Sequence, residues 1–209
     1  MPQLTARPGV PGMDEYADRS SDELRQMVVD AFGPEFRAEA DRVQKELLSE
    51  SHRASALVGA AWLEDQLHKL IGSVLPDDES IQGAFNQPNM NQSRRIDLAF
   101  GLGIIGAVEM AELSTIQKTR NKFAHRTSVS FANTDVAQLT ECLDRYLPTD
   151  YVTTADPADR PHSRYVMAVS FLVASLFLRI QYASQFNEIS HRLAMLRFFA
   201  EQADKEDSV

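Results

Sequence analysis

Arg120, Asn121 and His125 fall within six consecutive positions of the stretch QKTRNKFAHRTSVSF, residues 117–131. Together they carry the groups that metal-free cleavage of RNA requires. A histidine titrating near neutrality can take the proton of a ribose 2′-OH or return one to the leaving oxygen. An arginine presents a planar fork of donors that fits two phosphate oxygens at once. Asn121 can orient the imidazole or bind phosphate itself. The same three residues also have a purely structural reading. A histidine in the last turn of a helix interacts favourably with the helix dipole, and Asn121–His125 is an ordinary pair one turn apart. Arg120 is then expected to pair with Glu64 or Asp65 on a long preceding helix. Geometry weighs on the choice: five residues of regular helix leave Arg120 and His125 about 140° apart around the axis and about 7.5 Å apart along it. Within one chain the stretch reads as a helix end, and it becomes a site chiefly when a second chain faces it.

Other polar groups offer less. Glu64 and Asp65 are adjacent and point about 100° apart on a helix, so they do not form a carboxylate dyad. His52 and Arg53 read as surface residues, and Arg94–Arg95 as a small basic spot beside an Asn/Gln-rich loop. Trp62 reads as core rather than as a base-stacking platform. His162 and His191 have no partners at metal-ligand spacing, and no Gly-rich phosphate loop, nucleophile elbow or His-Glu-x-x-His pattern is present. No cofactor and no metal are expected.

These groups sit in a chain of 209 residues with net charge −9 and a pI near 5.0. Such a charge argues against a broad electrostatic footprint for duplex DNA, which needs a basic face. It leaves room for a local basic pocket, and so for RNA. A lone cysteine, Cys142, rules out an intrachain disulfide, and with five scattered histidines its spacing argues against a structural zinc site. The N-terminal stretch has no apolar core of a secretory signal. The most apolar run, Tyr165–Leu178, has fourteen residues between Arg164 and Arg179, against about 20 for a membrane-spanning helix. The expectation is a cytoplasmic protein without a membrane segment.

The elements that must position these groups are helical. Residues 1–19 hold Pro2, Pro8 and Pro11 and little to bury, and read as a flexible tail. Residues 20–209 read as one all-α domain of about six to seven helices. Ser20 and Glu23 form a capping box for a first helix, interrupted near Gly33–Pro34. From Pro34 to Leu75 the spacing predicts one continuous helical run, with Leu57, Ala60, Ala61, Leu63, Leu67, Leu70 and Ile71 on a buried stripe. PDDESIQGAFNQPNMNQS reads as a loop. Short helices follow over SRRIDLAFGLG, capped by Ser93, and over GAVEMAELSTIQKTRNKFAH. SVSF reads as an extended piece before a helix from Asn133–Thr134 to Leu147. A polar linker, 147–162, precedes a long apolar C-terminal helix from Ser163. That helix is apolar on nearly every face, so it is either the centre of the bundle or a subunit interface; a homodimer is expected.

Three pieces in order, ESHRASALVGAAWLEDQLHKLI, SRRIDLAFGLGII and IQKTRNKFAHRTSVSFANTDVAQLTECL, resemble the mannitol operon repressor (MltR-type) family of bacterial regulators over about residues 45–147. The resemblance implies an all-α transcriptional regulator without a recognisable DNA-reading motif; together with the acidic charge and the apolar C-terminal helix it gives the expectation of a dimer acting through protein partners. More distantly the chain is similar to HEPN domains, dimerising helical bundles whose signature is an Arg, a polar residue and a His about five positions on, as in Arg120, Asn121 and His125. In members that are ribonucleases, Arg and His from two subunits meet in one cleft and cut RNA without metal, as toxins or defence components. That resemblance makes the three residues catalytic candidates.

Overall fold

The computed structural model describes residues 32–87, 90–143 and 158–206, with side chains to Ala183. Seven helices and no strand occur among the described residues, so the all-α expectation holds. They are α1 (Pro34–Ser49), α2 (His52–Val74), α3 (Glu79–Phe85), α4 (Gln92–Gly101), α5 (Ala107–His125), α6 (Thr134–Glu141) and α7 (Arg160–Glu206). The expected Ser20-capped helix, the 1–19 tail and most of the 147–162 linker lie outside the described residues.

Local chemistry sets the boundaries, and several differ from the expectation. Gly33 has φ +86°, and Pro34 opens α1 at a position whose missing N–H costs nothing. The single run expected from Pro34 to Leu75 is two helices, because Ser51 turns out of α1 and its hydroxyl accepts from the Ala54 N–H to start α2. The loop expected after Pro76 contains α3. Asp78 caps it, accepting from Ser80 and Ile81, and the hydrogen bonds to Ser80 and Ile81 hold its carboxylate below the usual range. Phe85 closes α3 by stacking on His68 of α2, ring centroids 4.6 Å apart. Asn91 rather than Ser93 caps α4, and Gly103 (φ +70°) ends the turn beyond it. SVSF is irregular, and α7 begins at Arg160, three residues earlier than expected, with Pro161 in its first turn.

The core forms around α7, with α1 and α2 packed closest to it. Ser55 faces His162, Ala56 faces Tyr165 and Gly59 faces Val169, so residue numbers rise together and α2 and α7 run parallel. Along α5 the order reverses: Glu109 near its start holds Arg179, while Phe123 near its end stacks through Phe131 on Tyr165. Thus α5 is antiparallel to α7. α1 packs on α7 as well, with Phe36 edge-on to Phe171 at 4.9 Å.

Of the two readings of the apolar C-terminal helix, the first half of α7 is the centre of the bundle. Tyr165, Val166, Val169, Leu172, Val173 and Leu176 are all buried. The stretch Arg160–Ala183 is long and apolar enough to cross a membrane by length and composition, wider than the fourteen-residue run read from sequence. Its buried residues are covered by α1, α2 and α6 of the same chain.

The tightest point is Gly59, where a Cβ would lie 3.2 Å from Val169 Cγ1 and 3.4 Å from Leu47 Cδ1. An alanine there needs Val169 and Leu47 to give by a few tenths of an ångström, and a longer side chain must displace them. Gly59→Leu is expected to destabilise by about 1–3 kcal/mol through overpacking, despite the better helix propensity of leucine. Denaturant unfolding measures this. Tyr165→Phe, which removes only the 2.8 Å hydrogen bond to the Ala56 carbonyl, is expected to cost about 1 kcal/mol.

Candidate functional site

The stretch 117–131 spends part of its charge on holding itself in place. Lys122 Nζ and Arg126 Nη1 both donate to Asp135 Oδ2, at 2.7 and 2.8 Å, tying the end of α5 to the first turn of α6. The bonds from Lys122 and Arg126 hold the Asp135 carboxyl below the usual range. Arg53 Nη1 donates to the Arg126 carbonyl at 2.8 Å, so Arg53 fixes the point where the chain leaves α5. Phe123 faces the other way, fully buried against Phe131.

Arg120, Asn121 and His125 remain on the solvent side. The expected pairing of Arg120 with Glu64 or Asp65 does not form. Arg95 takes Glu64 at 2.8 Å and Lys69 takes Asp65 at 2.6 Å. Arg120 instead donates to the Asn121 amide oxygen at 3.2 Å. Among the described residues, no carboxylate pairs with Arg120, and the His125 imidazole has no hydrogen bond or ion pair. The helix runs unbroken to His125, so Arg120 and His125 stay about 140° apart around it. They do not converge within one chain.

What the fold does bring together is a cavity of about 420 Å³ between α2, the N-terminus of α4 and α5. Its floor is apolar, from Leu57, Leu63, Leu113 and Ile116, and its rim carries Glu64, Asn91, Gln92, Gln117, Arg120 and Asn121. His125 is not among the lining residues. Asn91 and Gln92 went unnoticed in the sequence because their segment read only as polar loop; Asn91 as a helix cap was the available signal.

A second polar cluster was also missed. His52, expected at the surface, is half-buried, its ring 4.5 Å from that of His162 and 5.5 Å from that of Phe131. His162 is buried, with Nε2 3.0 Å from Ser55 Oγ, which donates to the Leu47 carbonyl. Burial, followed by the proximity of His52, pushes the His162 pKa down to about 4. No group of three or more metal-ligating side chains occurs among the described residues.

No family model, no curated protein and no solved structure matches the chain.

The His162 pair generates a pH prediction. Its folded-state pKa lies below the unfolded value, so the unfolded chain binds the proton first as pH falls. Stability is therefore expected to be level above pH about 7 and to decline from about 6.5 towards 4. His162→Gln is expected to flatten the upper part of that decline, before carboxylates titrate. Denaturant midpoints measured across this range check it; an unchanged slope would count against a neutral buried His162.

Proposed function

We propose that this chain is a cytoplasmic, helical transcriptional regulator of the MltR type that works as a dimer through protein contacts rather than by reading DNA. The net charge of −9 supports this, since a DNA reader needs a basic face. One observation carries it, a collar of exposed apolar residues at the end of the bundle where α7 leaves it. Phe100, Leu102 and Val108 are 44%, 43% and 46% exposed, and Tyr182 is 64% exposed. Each lies within four residues along the chain of a member of the clamp of Arg179 on Glu109 and the Ile104 carbonyl. The parallel register adds Val74: Ala56 faces Tyr165, 109 residues on, and the same offset brings Val74 level with Ala183.

The dimer contact proposed here lies beyond the Tyr165–Leu178 run in which the sequence suggested it. Tyr165–Leu176 is occupied within the bundle, whereas α7 continues as helix to Glu206. At about 1.5 Å per residue, 47 residues extend to about 70 Å, twice the reach of the 23-residue α2. In the sequence, Tyr182, Phe186, Ile189, Leu193 and Leu196 recur at alternating four- and three-residue steps, the spacing by which two helices pair. Light scattering after size exclusion is expected to give a dimer for the full chain. Tyr182→Asp combined with Leu102→Asp is expected to give a monomer of unchanged helix content. A wild-type monomer would sink the reading.

A second reading is favoured by the exposure of Arg120 and His125. It is a metal-independent endoribonuclease of HEPN type, in which Arg120 of one subunit and His125 of another face one phosphodiester. His125 would take the 2′-OH proton, that oxygen would attack the adjacent phosphorus, and the 5′-oxygen would leave, taking the proton from the resulting imidazolium, to give a 2′,3′-cyclic phosphate and a 5′-hydroxyl. Arg120 would hold the phosphate oxygens and Asn121 would orient the imidazole. RNA cleavage in EDTA, abolished separately by Arg120→Ala and His125→Ala, is the expected outcome of this reading. Equal residual cleavage in both variants eliminates it.

A further inference from the structure

From the cavity between α2, α4 and α5 we infer a binding site for a small organic carboxylate that also carries a hydrogen-bond donor and an apolar body. Its volume of about 420 Å³ lies within the roughly 300–1,000 Å³ common for small-molecule sites. The make-up is that of such a site, an apolar floor under a few convergent polar groups.

Three observations define the ligand. The first is charge. Glu64 is paired with Arg95, so among the described residues the Arg120 guanidinium has no carboxylate partner and donates only to Asn121 at 3.2 Å. The N-terminus of α4, at Asn91–Gln92, faces the same space and adds partial positive charge. An otherwise acidic chain is thus locally positive here. One guanidinium, with no second unpaired cation among the lining residues, suits a single negative charge, a carboxylate held by the fork, better than a phosphate dianion.

The second observation is an unmet polar atom. Gln92 Oε1 is sealed from solvent and has no hydrogen-bond partner. A buried acceptor left without a donor costs free energy that a ligand hydroxyl or amide would recover once the Gln92 side chain, which lines the cavity, turns its amide towards it. The third is the floor: Leu57, Leu63, Leu113 and Ile116 present apolar surface that a wholly polar ligand would leave uncovered.

The site is separate from the exposed collar, so oligomeric state and ligand binding can fail independently. It shares Arg120 with the ribonuclease reading but does not involve His125. The test is calorimetric titration of the full chain with 4-hydroxybenzoate, benzoate, 4-hydroxybenzyl alcohol and phenyl phosphate, with ¹⁵N spectra following the Gln92 and Asn121 side-chain amides. 4-Hydroxybenzoate is expected to bind and to shift both amides. Loss of the carboxylate in the benzyl alcohol, or Arg120→Gln, is expected to weaken binding by about tenfold or more. Benzoate is expected to bind several-fold more weakly than 4-hydroxybenzoate, and Gln92→Leu to erase that difference. Ala61→Trp, at an exposed lining position, is expected to block every probe without touching the core. Absence of binding by 4-hydroxybenzoate, equal affinity in Arg120→Gln, or tighter binding of phenyl phosphate than of benzoate would each overturn the assignment.

Discussion

The close parallel contact of α2 and α7 over Gly59 is the constraint from which the rest of the bundle follows. A helix as apolar as the first half of α7 must be covered on nearly every side. Gly59 allows α2 to approach with no side chain between backbone and Val169, and Ala56 and Ser55 keep the same seam narrow. Polar groups inside the seam are matched: the Tyr165 hydroxyl reaches the Ala56 carbonyl, and His162 reaches the Ser55 hydroxyl. With one side of α7 fixed, α1 and α6 cover other sides, and α5 closes antiparallel through Phe123, Phe131 and the Glu109–Arg179 clamp.

That arrangement explains how the 117–131 stretch divides its labour. The face of α5 that carries Thr119 and Phe123 is buried, and Lys122 and Arg126 anchor the helix end to Asp135. Arg120 and Asn121 stand between, above the cavity shared with α2 and α4. They are spared from structural pairing because Glu64 and Asp65 already have other cations, Arg95 and Lys69. Among the described residues no carboxylate opposes Arg120.

Long, strongly periodic elements were legible in the sequence. The Leu63–Leu67–Leu70–Ile71 stripe and the apolar Tyr165–Leu178 run specify core helices through residue type and spacing alone. The break at Glu50–Ser51 was not, because apolar periodicity continues across it and only the serine cap marks the turn. α3 escaped for the opposite reason: seven residues rich in polar groups look like loop until Phe85 is seen to need His68 as a cover. Which cation meets which carboxylate depends on how α4 lies across α2, and no local pattern encodes that. The same holds for the pairing of His52 with His162, more than a hundred positions apart. Hence the individual members Arg120 and Asn121 were readable as chemistry, while Asn91 and Gln92, their neighbours across the cavity, were not.

The pairing of α2 with α7 also dictates an order of events during synthesis. Its contacts join residues 107 and 109 positions apart, and loops of that size close late because the chain must be in hand before the contact can reward it. On the ribosome, α2 emerges with its apolar stripe and with the Gly59 notch empty, and the segment that fills the notch follows only after α5 and α6. Until then the nascent bundle lacks its centre, and the leucines of α2 are open to chaperones or to a neighbouring nascent chain.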